Sequence, residues 1–187
     1  MRIISGSLKG RRINVPRGLD LRPTTDQARE ALFNILQSHL SMDGIQVLDL
    51  FAGTGALSFE FISRGAASVL AVEMNARAVD AMRDQAAAWR LGQLNVLRAD
   101  AFRFLQKTPQ ARFDIIFADP PYAHPGLPEL PDLVLESGFL EADGLFILEH
   151  PSGLRLEDHP NCYDTRRYGH VHFSFFSRGS TAASRED

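Results

Sequence analysis

A chain of 187 residues, 44% hydrophobic and 23% charged, is long enough to bury a sizeable core without covalent staples, and its single Cys162 excludes a disulfide framework within the chain. No apolar run reaches membrane-spanning length and no charged start precedes an apolar h-region, so a soluble, cytoplasmic protein is expected. The net charge of -3 does not announce a polyanion binder, but residues 1 to 19 carry Arg2, Lys9, Arg11, Arg12 and Arg17 with no acid, a net of +5 that leaves -8 for the remainder.

In chain order, Arg2-Ile3-Ile4-Ser5 and Arg11-Arg12-Ile13-Asn14-Val15 flank a turn holding Gly6 and Gly10, which predicts a β-hairpin. This basic arm, residues 1–20, is suited to phosphate contacts that position a nucleic acid without reading its sequence; a solvated hairpin face is the plain alternative. Leu19 to Thr25 joins the arm to a body spanning 21–178, and the small, polar stretch 179–187 is expected to be disordered. Thr24 with Gln27 resembles a capping box, after which Ala28, Ala31, Leu32, Ile35 and Leu36 recur at helical spacing.

From residue 46, strands near 46–51, 68–73, 94–98, 113–118 and 144–149 alternate with helices near 56–64, 75–90, 101–107 and 128–137, and two further apolar stretches, 162–168 and 171–177, predict a closing antiparallel hairpin. Such alternation specifies an α/β fold, a mostly parallel sheet of seven strands with helices on both faces. Trp89 and the phenylalanines are assigned to the core. The Pro-rich stretch Pro125 to Pro131 is predicted to be a loop.

The first strand, Val47-Leu48-Asp49-Leu50, breaks into Phe51-Ala52-Gly53-Thr54-Gly55 before a helix, which is the first βα turn of a nucleotide-binding sheet. Gly53 and Gly55 permit a tight turn and close approach of a ligand. Continued as Ala56-Leu57-Ser58, the run lacks the final Gly/Ala of a dinucleotide fingerprint, and no Gly-Lys-Ser/Thr makes it a P-loop. A ligand with adenosine but no phosphates fits better. Glu73, about 20 residues past the turn, suits ribose hydroxyls, and Asp100, at the end of the next strand, suits the adenine amine; a solvated strand end or a helix cap is the alternative for each.

Asp119-Pro120-Pro121-Tyr122 follows the strand Phe113-Asp114-Ile115-Ile116-Phe117-Ala118 and joins an acceptor carboxylate, an exposed carbonyl and an aromatic face. Two prolines end the strand stiffly and donate nothing themselves. The set is suited to holding a planar amine, with an amino group donating to Asp119 and to the Pro120 carbonyl and with Tyr122 stacked on the attached ring.

On these residues the chain resembles the amino-methylating branch of the class I S-adenosylmethionine-dependent methyltransferases. Within it, Arg22-Pro23-Thr24, Arg29-Glu30-Ala31-Leu32-Phe33-Asn34-Ile35-Leu36, Asp49 to Leu57 and Ser63-Arg64-Gly65-Ala66 resemble the RsmD family, which acts on a guanine of bacterial 16S rRNA. Thr54 stands where that family usually has Ser. The resemblance implies a Rossmann-like class I methyltransferase fold, S-adenosylmethionine as cofactor, and transfer to the exocyclic N2 of guanine-966 in the small ribosomal subunit or an assembly intermediate; nothing in the sequence demands more than a monomer. It implies catalytic residues Asp119, Pro120, Pro121 and Tyr122, a cofactor set of Asp49, Phe51, Ala52, Gly53, Thr54, Gly55, Glu73, Met74, Asp100 and Ala101, and RNA contacts from Arg2, Lys9, Arg11, Arg12, Arg17 and Arg22.

The residues alone leave other readings open. An amino-methyltransferase acting on adenine N6 or on a protein glutamine shares the motif. A nicotinamide-dinucleotide oxidoreductase shares the glycine turn and Glu73 but has no use for Asp-Pro-Pro-Tyr, and a non-catalytic RNA-binding module needs only the arm. Methylation at pyrimidine C5 needs a cysteine nucleophile, which Cys162 does not resemble. No metal site is expected: His170 and His172 share a strand face without a third ligand, and His39, His124, His150 and His159 show no paired spacing.

Overall fold

The computed structural model describes residues 1–16, 18 and 25–179. Arg17, Arg22 and Thr24, most of the expected join and nearly all of the expected tail lie outside them. Two compact units divide the chain, Met1–Ala101 and Phe102–Asp187. The first unit contributes three strands and the second four, seven among the described residues.

In the first unit, α1 (Asp26–His39) precedes β1 (Gln46–Leu50), α2 (Ala56–Ser63), β2 (Ser68–Glu73), α3 (Ala76–Trp89) and β3 (Leu94–Arg98), followed by the start of α4 (Ala101–Leu105). The three strands are parallel, with Val47 beside Val69 and Val69 beside Leu94. The cap of α1 is Thr25, one residue later than the expected Thr24, because it is the Thr25 hydroxyl that accepts the Ala28 N–H, at 3.2 Å. Its apolar face packs on α2 through Phe33 and Phe61, edge to face with centroids 4.8 Å apart.

Helix α2 is buried from Leu57 through Ser63, so its polar side chains need partners. Glu60 supplies and finds most of them: its oxygens accept the N–H groups of Ile4 and Ser5 at 2.8 and 3.0 Å and Arg64 Nε at 2.8 Å. Ser63 binds Leu8 N and the Ser5 carbonyl with its hydroxyl, and its own carbonyl takes Ser7 N. The arm itself is a short antiparallel hairpin: Arg2 bridges Arg12, Ile3 N donates to the Arg11 carbonyl and Gly10 N to the Ile3 carbonyl, each at 2.9 Å, and Ile13 N donates to the Met1 carbonyl at 3.0 Å. The N–H groups of the connecting turn, Ile4, Ser5, Ser7 and Leu8, are the ones that α2 takes. Gly6 is obligatory in this seating: its φ is +81°, and a Cβ there would stand 1.8 Å from the Ser63 carbonyl oxygen.

Trp89 is half-buried rather than core. One side packs edge to face on Phe59 at 5.2 Å, and the Arg11 guanidinium lies over the ring at 5.5 Å.

The second unit holds β4 (Phe113–Ala118), α5 (Leu130–Glu136), β5 (Leu140–Pro151), β6 (Cys162–Tyr168) and β7 (Val171–Phe176). β4 and β5 are parallel; β7 runs antiparallel between β5 and β6. β5 begins four residues before the expected 144 because Leu140 pairs with Phe113 and a register shift absorbs the exposed Ala142 and Asp143 before Leu145 pairs with Ile115. Pro131 lies in the first turn of α5 rather than in a loop, where proline's missing N–H costs nothing. Before it, residues 121–130 form successive turns, with Leu127 buried and the His124 ring stacked on Phe102 at 4.3 Å. Ile115, Phe117, Phe146, Phe173, Phe175 and Phe176 fill the core, each such side chain contributing about 1.5–3 kcal/mol by burial.

Candidate active site

The glycine turn of the first unit is more strained than its sequence suggests. Phe51 has a φ of +60°, a left-handed conformation that costs a bulky residue about 1–2 kcal/mol. Gly53 and Gly55 follow at +55° and +78°. A Cβ on Gly55 would meet Met82 Sδ at 2.7 Å and Phe59 at 3.1 Å, so both backbone and space demand glycine. The turn is tied to its sheet by Ala52 N to the Val72 carbonyl, and closes on itself by Gly55 N to the Ala52 carbonyl.

Glu73, at the end of β2, holds the turn directly. Its Oε2 accepts the Gly53 N–H at 2.9 Å and its Oε1 accepts the Asn75 N–H at 2.7 Å. A carboxylate offers about four lone-pair sites, so capacity for a diol remains. The Ala99 N–H donates to the Glu73 carbonyl at 3.1 Å, which brings the end of β3, and with it half-buried Asp100 and buried Ala101, alongside. Met74 is 65% exposed, a large apolar side chain left uncovered beside Glu73. Thr54 is buried, with a long contact to Met1 Sδ at 3.9 Å.

Asp49 differs from these in being inside the fold. Its carboxyl is 2% exposed and accepts the Ser58 hydroxyl at 2.5 Å. Burial pushes it up to about 7 from an ordinary 3.8, against the Ser58 hydrogen bonds and with a further push from the charge of Glu73. Ser58, the residue that spoils the dinucleotide fingerprint, is therefore the partner of the buried acid on β1.

In the second unit, Asp119 directly follows β4 and is half-buried; Pro120 is buried, Pro121 exposed and Tyr122 half-buried. The Pro121 carbonyl accepts the His124 N–H at 2.9 Å, so the motif's candidate acceptor for an amine is the Pro120 carbonyl. The Tyr122 hydroxyl donates to Glu149 Oε1 at 3.3 Å, and Glu149 is 3% exposed. Sequence reasoning missed Glu149, though the signal was present: like Glu73, Asp100 and Asp119, it is an acid closing an apolar strand run, Phe146-Ile147-Leu148.

On the arm, Lys9, Arg11 and Arg12 are exposed, and Arg2 pairs with exposed Asp26 at 3.4 Å. His172 meets His150 across β7 and β5, rings 5.6 Å apart, instead of acting with His170. Burial lowers the pKa of both, and His150 Nε2 lies 2.8 Å from Ser174 Oγ. Cys162 is buried. Among the described residues no cluster of three or more His, Cys, Asp or Glu is arranged to hold a metal, and no helix is long and apolar enough to cross a membrane.

The family model for conserved hypothetical protein 95 matches residues 1–177. The chain is 34% identical to Ribosomal RNA small subunit methyltransferase D of Escherichia coli strain K12, across 100% of this chain and 94% of that one. A solved structure of a hypothetical protein from Thermus thermophilus is 33% identical, with a TM-score of 0.82 over 95% of this chain and 99% of that one. A SAM-dependent methyltransferase from Thiobacillus denitrificans, solved in complex with S-adenosyl-L-homocysteine, is similar in fold at 20% identity and a TM-score of 0.58, over 70% of this chain and 50% of that one.

Proposed function

This chain belongs to the conserved hypothetical protein 95 family, that of the RsmD rRNA methyltransferases, and from that premise we propose that it moves a methyl group from S-adenosylmethionine to the exocyclic N2 of a guanine in 16S rRNA, guanine-966 in the family's numbering. The observation that carries the reading is Asp119-Pro120-Pro121-Tyr122 at the C-terminal end of β4, where open α/β sheets bind their ligands.

In this reading the first unit's residues hold the cofactor. Glu73 accepts from the ribose hydroxyls with the lone pairs that Gly53 and Asn75 leave, Asp100 accepts from the adenine amine, and exposed Met74 lies against the adenine ring. Phe51, Ala52, Gly53, Thr54 and Gly55 shape the turn around the rest of the molecule, and Asp49 supports that turn from β1. The bound cofactor supplies an electrophilic methyl on a sulfonium.

The residues of the second unit act on the amine. The N2 lone pair of guanine is delocalised into the ring, which makes the nitrogen a poor nucleophile. Hydrogen bonds to the Asp119 carboxylate and the Pro120 carbonyl turn the amino group out of conjugation and direct its lone pair. Holding nitrogen and methyl carbon in line at about 3–3.5 Å supplies much of the barrier reduction. Asp119 stabilises the positive charge that develops on nitrogen, and the proton leaves during or after transfer. Stacking on Tyr122 contributes about 1–3 kcal/mol. A base in a loop, already splayed from its neighbours, reaches such a site at least cost.

The exposed cations of the arm, Arg2, Lys9, Arg11 and Arg12, contact RNA phosphates, as do Arg17 and Arg22 beyond the described residues. The substrate is the small ribosomal subunit or an assembly intermediate. The test is transfer of labelled methyl from S-adenosylmethionine to small subunits lacking this modification, followed by nucleoside digestion and chromatography. N2-methylguanosine supports the reading; label on adenosine or protein keeps the reaction and overturns the substrate; no label overturns both.

A further inference from the structure

Glu149 is a carboxylate that the mechanism above does not use, and its position needs an explanation. Charged side chains are almost never buried without a purpose or a partner. This one is 3% exposed near the C-terminal end of β5, and it meets the aromatic residue of the amine motif: Tyr122 Oη donates to Glu149 Oε1 at 3.3 Å. The sheet makes the pairing systematic. β4 and β5 are parallel and in register at Ala118 with Leu148, so one step further along, Asp119 and Glu149 are the next residues of two strands that run about 4.8 Å apart. On its other side Glu149 pairs with Phe173 of β7, itself fully buried. The carboxylate is thus carried on a strand paired along both edges, while Tyr122 stands on a stretch of turns.

We propose that Glu149 is a positioning residue for methyl transfer: by holding the Tyr122 hydroxyl from β5 it fixes the position of the aromatic ring against which the target base stacks, beside the carboxylate that receives the amine. Both acceptors then derive their geometry from adjacent strand ends. A tyrosine ring free to swing about χ1 would still offer an apolar face, but not one aligned with Asp119, and loss of alignment by a fraction of an ångström is what slows a near-attack reaction. The proposal explains why an acid, rather than another apolar residue, closes the run Phe146-Ile147-Leu148.

The inference rests on the methyl-transfer reading, and its test separates the two. Methyl transfer to small ribosomal subunits lacking the modification is measured for wild type, Tyr122→Phe, Glu149→Met, Glu149→Gln and the Tyr122→Phe/Glu149→Met pair, with cofactor Kd measured by calorimetry and Tm alongside. Tyr122→Phe and Glu149→Met should each lower kcat about tenfold, the order set by one hydrogen bond to a charged group, with cofactor Kd unchanged. The pair should be no slower than the slower single variant, because both remove the same link. Glu149→Gln, which keeps an acceptor oxygen, should recover most of the rate. Additive losses, no rescue by Gln, or a fall in Tm with kcat intact would overturn the proposal. Should Glu149→Met fail to fold, Tyr122→Phe at full kcat would still overturn it. Absence of transfer by the wild-type protein would instead overturn the reading beneath it.

Discussion

Glu73 Oε2 accepts the backbone N–H of Gly53 at 2.9 Å, so the acid proposed to hold the ribose also braces the turn proposed to shape the rest of the cofactor site. Removing it has two effects at once. Glu73→Ala should weaken S-adenosylmethionine binding by at least about tenfold, since hydrogen bonds to a charged group are lost and the Gly53 N–H is released. Glu73→Gln should lose less, because one oxygen still reaches the turn. Calorimetric titration checks this, and an unchanged Kd in the Ala variant would remove Glu73 from the cofactor set.

Asp119→Ala has the opposite signature. Turnover should fall by at least about a hundredfold, the scale of losing one preorganised group that stabilises transition-state charge, while cofactor Kd stays within about twofold. Single-turnover methylation and calorimetry on the same preparation distinguish the cases. A large loss of cofactor affinity with residual turnover would mean that the two roles have been exchanged.

Asp49 makes stability depend on pH in an unusual direction. Its folded-state pKa, pushed up to about 7, lies above the ordinary 3.8 of an unfolded chain. Between those values the folded protein keeps a proton that the unfolded chain has released. This group's contribution therefore falls as pH rises from about 4 to about 7 and levels off above. Urea unfolding at pH 5.5 and 8 should show wild type losing stability over that interval by more than Asp49→Asn does, since Asn has no charge to bury. Equal slopes would refute the assignment.

Replacing Arg11 and Arg12 by Ala should weaken RNA binding and flatten its dependence on salt, by up to about one unit of log–log slope for each phosphate left without its cation. Arg11→Ala should also cost about 0.5–1 kcal/mol of stability through its interaction with Trp89, a part that salt-dependence measurements exclude. A slope identical to wild type would make both arginines solvated surface.

Glu60→Ala should destabilise the protein by about 3–5 kcal/mol, because it leaves Arg64 buried without its ion pair and the Ile4 and Ser5 N–H groups without an acceptor. Chemical denaturation measures the loss, and limited proteolysis should then cut within the first fifteen or so residues. A fall confined to a few tenths of a kcal/mol would show that water replaces those bonds.

Much of this fold was legible because its signals are local. The apolar runs 68–73, 94–98 and 113–118 are strands within the predicted bounds, and their closing acids marked Glu73, Asp100 and Asp119. The failures share a cause, which is that distant groups decide. Nothing in residues 4 to 8 says that Glu60 and Ser63 will take the donors of their turn. Thr24 and Thr25 offer the same hydroxyl, and the local sequence does not say that the second caps α1. Trp89 is half-covered rather than core, packed on Phe59 on one side and met over its ring by Arg11, more than seventy positions away. Ser58 read as a flaw in a fingerprint, yet it is the hydroxyl that a buried acid on β1 requires.

The seating of residues 4 to 8 on α2, with the rest of the arm bonded back to them, has a thermodynamic consequence. Segments that order only on meeting a polyanion lose backbone freedom at that moment, roughly 1–2 kcal/mol for each residue fixed, and bind more weakly for it. Here that loss is incurred during folding, with Gly6 lodged against Ser63 and two amides on Glu60. In the proposed RNA contact Arg11 and Arg12 would meet phosphates on a backbone already set, so the favourable entropy of released counterions would be left largely unopposed by chain ordering.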